Sequence, residues 1–473
     1  MFSVLKAINE LATRTFDESE HNYRSKFERD RDRILYSKAF RRLSGKTQVF
    51  IAGNDDHLRT RLTHTLEVVQ IATTISKRLE LDIPLTEAIS YGHDLGHTPF
   101  GHVGERTINY IMNGCYSIRG TNSNLQPNEQ GFKHNWQSVR VMSDLEVLNK
   151  DYYGLNPTNY TLWGVVNHSS LKYKSCRKRS TDTGCNLRLQ GNNCDKTKDD
   201  EFCLGFYDKY LPLIADSSWS LEALVVAIAD EIAQRHHDIE DGIETGLIDK
   251  NELIEKFKNE FNEFLVDEER QLLRKIQDED EQKYYSAMLS KLIVNFLTTR
   301  VINDTIEKLN ELVKKYHINS AGDFYSCHED IYKSIDIFKL VDYSEDFKAK
   351  EKNFHKYLMT RILNSQMAQK MDGKAGYIIR QLFKAYVSNP QQLPDKTIGA
   401  IYKMKMGSIE FDEEYSNKSE AVVYGELREK LENDHYRDNS AAHNEVLLRG
   451  IADYISGMTD VYAMSQYKSL YEG

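Results

Sequence analysis

The 473-residue sequence has little proline or cysteine: 7 Pro and 6 Cys. With 25 Gly, so little proline disfavours many short strands joined by tight turns and favours helices. Six cysteines spread over this length make no dense disulfide framework, so a reducing, cytoplasmic compartment is expected. No run reaches the ~18 apolar residues that span a bilayer. The opening Met1-Phe2-Ser3-Val4-Leu5-Lys6 also lacks the basic stretch and long apolar run of a secretory signal. Positive charge is not in excess, since 62 Lys+Arg face 72 Asp+Glu for a net charge of -10. That excludes a protein coated in cations for binding nucleic acid, but leaves room for a local basic pocket. The chain does have apolar content to bury: 40% hydrophobic residues, with 28 Tyr and 19 Phe, too many aromatics for a disordered chain. Length alone suggests about three domains.

Helical periodicity dominates. Leu62, Leu66, Val69, Ile75 and Leu79 recur at mostly three- and four-residue steps and predict a helix over 62–81 with these residues on its apolar face. Thr86 is placed as the N-cap of a second helix that must stop near Gly96 and Pro99. Ser220 opens a third, carrying Leu221, Leu224, Val225, Ile228 and Ile232. From about 251 to 315 the pattern is long, charged and helical, and the acidic run Asp278-Glu279-Asp280-Glu281 reads as a solvated face or loop. Residues 114–131 read as a loop, about 167–203 as an irregular insertion, and 343–352 as a weaker break. The expected fold class is all-α.

Fifteen histidines are unremarkable in number, so their placement carries the argument. His64 lies near the start of its helix, where a lone histidine is most often structural. The segment His93-Asp94-Leu95-Gly96-His97-Thr98-Pro99-Phe100-Gly101-His102-Val103-Gly104-Glu105 differs. It packs three His, one Asp and one Glu into a glycine-bearing turn, and a packed core has little use for so many titratable groups. At the last turn of a helix, His93 and Asp94 can straddle one cation, and mixed imidazole and carboxylate ligands suit Mn, Fe, Ni, Zn or Mg. Asp230 sits inside the apolar run Val225-Val226-Ala227-Ile228-Ala229-Asp230-Glu231-Ile232, where a carboxylate needs a cation, an arginine or an exposed face.

His64, the His93-Asp94 pair and Asp230 resemble the H…HD…D signature of HD-domain metal-dependent phosphohydrolases. The closer resemblance is to the bacterial dGTPase-like deoxynucleoside triphosphate triphosphohydrolases. It is carried by Arg31-Asp32-Arg33, Ser37-Lys38-Ala39-Phe40-Arg41-Arg42-Leu43, Lys46-Thr47-Gln48-Val49-Phe50, Arg59-Thr60-Arg61-Leu62-Thr63-His64 and Gly92 to His102. The late segment Asp453-Tyr454-Ile455-Ser456-Gly457-Met458-Thr459-Asp460 belongs to the same ordered set. The resemblance runs from about residue 20 to 465, apart from the cysteine-bearing insertion. It implies an HD core over 1–345 and a C-terminal helical region over 346–473 packed on it.

The resemblance also implies hydrolysis of dNTP, dGTP or others, to deoxynucleoside and inorganic triphosphate. His64, His93, Asp94 and Asp230 would hold the divalent cation. His102 resembles the family's catalytic histidine and Glu105 the carboxylate that orients it; a histidine beside a carboxylate suits proton transfer near neutral pH. Arg61 and His97 resemble residues at the phosphates, Gln48 and Asp238 those that read the sugar 3′-hydroxyl, and His134 another that approaches the site. Four residues after the last metal ligand, many relatives carry a Tyr thought to disfavour ribose. Here that position is Gln234, which puts selection against the 2′-hydroxyl and the strength of 3′-hydroxyl binding in question. No base-contacting motif is distinctive, and several relatives of this type accept more than one dNTP, so the resemblance implies a broader dNTPase. Family members commonly form tetramers or hexamers, often with nucleotide activation, so a homo-oligomer is expected.

In the insertion, Cys176, Cys185, Cys194 and Cys203 recur every nine residues. Zinc sites usually contain cysteines two to four residues apart, so unbonded thiols are the favoured reading over zinc. Lys172, Lys174, Arg177, Lys178, Arg179 and Arg188 in the same stretch suit a solvated loop, or an allosteric contact to nucleotide or single-stranded DNA. Two rival functions are another HD-domain nucleotide phosphodiesterase and a non-catalytic dNTP sensor. The cyclic-dinucleotide branch typically has Lys where His97 stands, and a sensor is expected to have lost a metal ligand.

Overall fold

A computed structural model of the chain describes residues 2–47, 59–118, 122, 125–149, 152–169, 203–438 and 441–472. Its secondary structure is helical, as expected, apart from two isolated bridges, Thr47 with Thr60 and Val147 with Gly154.

The first site-bearing helix is Arg61–Leu79, capped by Thr60, whose side chain accepts from the Thr63 N–H. Its buried face is only partly the expected one, since Ile75 and Leu79 are buried as expected. Leu66 is 49% exposed and Leu62 and Val69 are half-buried, whereas Arg61, His64, Val68, Ile71, Ile75 and Leu79 face inward. The reason is that two polar residues, Arg61 and His64, occupy the inward stripe at its first turn, and apolar periodicity alone cannot see them. The helix packs on Ile83–Gly92 and on Leu221–Glu244, the latter starting where expected, with Ser220 accepting from the Ala223 N–H.

The second helix, Ile83–Gly92, is capped by Asp82 rather than Thr86. Asp82 accepts from the Leu85 N–H at 2.9 Å, while Thr86 lies one turn inside and donates to the Asp82 carbonyl at 2.8 Å. Pro84 fits the first turn, where no helical N–H bond is lost. The helix ends at Gly92, and His93 is its C-cap.

The long charged pattern divides into Lys250–Phe261, Asp267–Gln277 and Gln282–Tyr316, and the acidic run lies between the last two. The expected break at 343–352 is shorter, because helix Glu345–Leu363 already occupies 345–352.

Two apolar clusters form the interior. The first gathers residues from Phe2 to Ala368 and includes Leu95; helix Glu345–Leu363 contributes Phe347, Phe354, Leu358 and Ile362 to it. The second joins Phe100, Ile108, Ile111, Met112 and Phe132 to later helices, from Ala375 to Ala463. The turn between Leu95 and Phe100 therefore lies where the two clusters meet.

Polar ties fix that junction. Buried Lys46 donates to the carbonyls of His97 and of Ser456, the latter at 2.8 Å. Asp460 accepts from the Thr47 hydroxyl, from the Thr47 N–H at 3.0 Å and from the Phe100 N–H at 2.9 Å. Phe100 holds a left-handed backbone, φ 62°, and Asp460 anchors it there. Arg140, also buried, grips both oxygens of Asp453.

Candidate active site

Three helices bring four expected ligands together. His64 points inward from Arg61–Leu79, His93 and Asp94 follow Ile83–Gly92, and Asp230 projects from Leu221–Glu244. His64 Nε2 lies 2.9 Å from Asp230 Oδ1. His93 Nε2 lies 3.7 Å from Asp94 Oδ2 and 3.9 Å from Asp230 Oδ1. One ligand atom from each of His64, His93 and Asp94 falls within 4.8 Å of the others. The His93 Nδ1–H donates to the Ser90 carbonyl at 2.7 Å, which leaves Nε2 bare, buried and without a hydrogen-bond partner. A nitrogen lone pair held dry beside two carboxylates fits a divalent cation.

Electrostatics keep both carboxylates ionised. Burial would raise the Asp94 carboxyl, but the Arg61 guanidinium and the imidazoles of His93, His97 and His64 hold it well below the carboxylate range. At Asp230 burial is likewise outweighed, by the hydrogen bond with His64 and the neighbouring imidazoles. Arg61 Nη1 sits 2.5 Å from Asp94 Oδ2, and its Nε and Nη2 are buried with no partner, so two donors remain for an anion.

A second group adjoins the first. His97, His102, Glu105 and His134 each place a ligand-type atom within 4.8 Å of one another. The His102 side chain, on the first turn of Gly101–Met112, is 64% exposed, and its Nδ1 is 3.7 Å from Glu105 Oε2. Glu105 is buried and lies closer to His134, with Nδ1 at 2.6 Å from Oε2; Lys133 Nζ is 3.7 Å from its other oxygen. Burial would raise the Glu105 carboxyl, but His134, His102 and Lys133 hold it well below its usual range. The His97 ring stacks on His134 at 4.2 Å. Burial and the Arg61 charge push His97 well down.

On the Asp230 helix, Gln234 Nε2 donates to Asp238 Oδ1 at 3.2 Å. Asp238 is buried, its Oδ2 has no partner, and burial pushes its carboxyl up to about 6. Gln48, the other expected sugar contact, lies outside the described residues, as do Cys176, Cys185, Cys194 and the basic stretch Lys172 to Arg188. Cys203 is a free thiol 3.2 Å from the Pro127 carbonyl.

Two features escaped the sequence. His168, just after helix Asn159–Asn167, is buried with its ring 5.1 Å from His93 and 5.4 Å from His134. As a lone histidine beside an irregular stretch it gave no signal. Glu67 accepts from His236 Nδ1 at 2.8 Å and His237 Nε2 at 2.7 Å, and the His237 ring abuts His64 at 5.0 Å. The spacing of three between His64 and Glu67 was the available hint, since such pairs share a helix face.

Comparison with known proteins accords with this arrangement. Residues 61–235 match the HD domain, and residues 341–406 and 421–469 match the phosphohydrolase-associated domain. The chain is 31% identical to a deoxyguanosinetriphosphate triphosphohydrolase-like protein of Geobacter metallireducens, covering 97% of this chain and 92% of that protein. It is 31% identical to one of Bartonella tribocorum over the same shares, and 29% to one of Leptospira interrogans, again over 97% and 92%. With the ligands gathered by three helices and the likeness extending over nearly the whole length, the chain belongs to the family of HD-domain, deoxyguanosinetriphosphate triphosphohydrolase-like proteins.

Proposed function

We propose that this protein hydrolyses deoxynucleoside triphosphates to deoxynucleoside and inorganic triphosphate, with a divalent cation held by His64, His93, Asp94 and Asp230. One observation carries the reading: an exposed histidine, His102, backed by the buried carboxylate Glu105, stands with its ring 5.1 Å from that of His97, whose Nε2 lies 3.8 Å from Asp94 Oδ1 of this ligand set. Bound there, a divalent cation supplies Lewis-acid polarisation of the α-phosphate and lowers the pKa of water.

The chain's own residues do the rest. Arg61 keeps Nε and Nη2 free of protein partners and neutralises phosphate oxygens as a guanidinium fork. His97, stacked on His134, lines the phosphate side. His102 presents Nδ1 to Glu105 and, in its protonated form, carries on Nε2 the proton that passes to the leaving 5′-oxygen. Asp238, with Oδ2 unpartnered, accepts from the sugar 3′-hydroxyl, and Gln48 is the expected second contact. Gln234 in place of the family's Tyr bears on exclusion of the ribose 2′-hydroxyl, and the lack of a distinctive base-contacting motif supports a broad dNTP range.

The test is incubation of the purified protein with each dNTP and Mn²⁺ or Mg²⁺, with products separated by ion exchange. Inorganic triphosphate and deoxynucleoside are expected. Pyrophosphate or nucleoside monophosphate would reject the reading in favour of another phosphohydrolase, and tight dNTP binding without turnover would favour a sensor.

A further inference from the structure

We propose that the site holds a second cation, coordinated by Asp94, His134 and His168. The evidence is a pair of imidazoles whose bare nitrogens face each other. His134 Nδ1 lies 2.6 Å from Glu105 Oε2, and His168 Nδ1 lies 2.6 Å from the Val165 carbonyl. Carboxylates and carbonyls only accept, so each Nδ1 carries its ring's proton. A neutral imidazole has one N–H, and each Nε2 is therefore a lone pair. The two Nε2 atoms stand 3.4 Å apart with no hydrogen between them to share. Such a contact repels unless a positive centre joins it.

Three observations favour a metal ion over a shared proton as that centre. An oxygen of Asp94 lies within 4.8 Å of the ligand nitrogens of both His134 and His168, which completes a three-ligand set. Metal-binding histidines characteristically donate their second ring N–H to a carboxylate or backbone carbonyl, which fixes tautomer and orientation. His93, assigned to the first cation, does this with the Ser90 carbonyl, and His134 and His168 repeat the device. All three rings are buried, and His93 and His168 meet edge to face at 5.1 Å. Asp94 then serves both positions as a bridging carboxylate, with imidazole and carboxylate donors suited to Mn²⁺ or Fe²⁺. Paired cations about 3.5–4 Å apart clamp the oxygens of a phosphoryl substrate from two sides.

The inference rests on the reading of His64, His93, Asp94 and Asp230 as first-cation ligands, and the experiment separates the two. Full-length protein is stripped with chelator and equilibrated with Mn²⁺ by dialysis. Metal is then counted by mass spectrometry and examined by electron paramagnetic resonance. Two ions per chain and a spin-coupled spectrum are expected, falling in His168→Gln to about one ion with an isolated six-line signal. One isolated ion in the unaltered protein, unchanged by His168→Gln, overturns the second position and leaves the first intact. No bound Mn²⁺ overturns both. Since the spectrum of the unaltered protein decides the matter, a poorly folded variant does not obscure it, and His168→Asn provides a second one. Triphosphate release with a single ion leaves the proposed function standing, whereas two coupled ions without dNTP hydrolysis sink the function and keep the site.

Discussion

Glu105 meets His134 more closely than it meets His102, at 2.6 Å against 3.7 Å from the same oxygen. One buried carboxylate thus orients two imidazoles, one sunk beside Asp94 and one open to solvent. Replacing it with Glu105→Gln keeps the shape and removes the charge. The expected outcome is a fall in kcat for dNTP hydrolysis of about 10- to 100-fold, with an unchanged helical circular dichroism spectrum. An unaltered kcat would detach Glu105 from the proton-transfer role.

Gly96 separates the HD pair from His97 at a point where the backbone lies directly on another helix. A Cβ there would stand 2.2 Å from the Ser138 nitrogen and 2.4 Å from the His134 carbonyl oxygen. Both are backbone atoms of helix His134–Arg140, which cannot swing aside as a side-chain end would. Gly96→Ala is expected to destabilise the protein by about 2 kcal/mol or more in urea unfolding, and to displace His134 enough to lower turnover.

Gln234→Tyr restores the residue common among relatives and removes the amide that donates to Asp238. Turnover of ribonucleotides is expected to fall relative to deoxynucleotides, read as the ratio of kcat/KM values. An unchanged ratio would show that position 234 does not read the 2′-hydroxyl.

Glu222 supplies a pH dependence away from the site. Its Oε1 accepts from the Ala7 N–H at 3.1 Å and the Asp82 N–H at 2.8 Å, and its Oε2 is buried without a partner. Burial pushes its carboxyl up to about 7 from 4.5; the Asp82 charge adds to this and the two backbone bonds oppose it. A raised folded-state value means the protonated form is favoured by folding. That contribution is full below about pH 4.5 and is lost as pH rises through about 7, amounting to about 3 kcal/mol. Glu222→Gln, which keeps an acceptor and carries no charge, should gain stability relative to the unaltered protein between pH 5 and pH 8. A constant difference across that range would refute the assignment.

Much of the site was legible in the sequence because its donors sit in short motifs, such as His93-Asp94 and His102 to Glu105, whose residue types already limit their chemistry. The helices were legible too, but their limits and faces less so. Nothing between 251 and 315 is Gly or Pro, so the breaks after Phe261 and Gln277 leave no mark that periodicity can detect. Asp82 and Thr86 are both good capping residues, and Pro84 tells them apart only once the helix start is known. His168 was invisible for a different reason. Its meaning comes from His134, 34 residues away, and from the direction of two N–H bonds, neither of which is a property of local sequence.

Asp460→Asn tests the tie between the late segment and the motif turn. Asparagine offers one carbonyl oxygen where the carboxylate accepts from both Thr47 and Phe100. A buried donor is left unmet, at a cost of about 1–3 kcal/mol, and Phe100 is released from its left-handed turn. Lower melting temperature and lower dNTP turnover are expected together; losing neither would show that the tie is dispensable.

The same tie sets an order of events. The bonds from Thr47 to Asp460 and from Lys46 to Ser456 close over 413 and 410 residues, and contacts so distant in sequence form slowly. A chain still being synthesised has His64, His93 and Asp94 in place long before Asp460 exists to fix the turn that follows them. The candidate site therefore reaches its working shape among the last steps of folding, and a nascent chain can collapse into helices well before that site is complete.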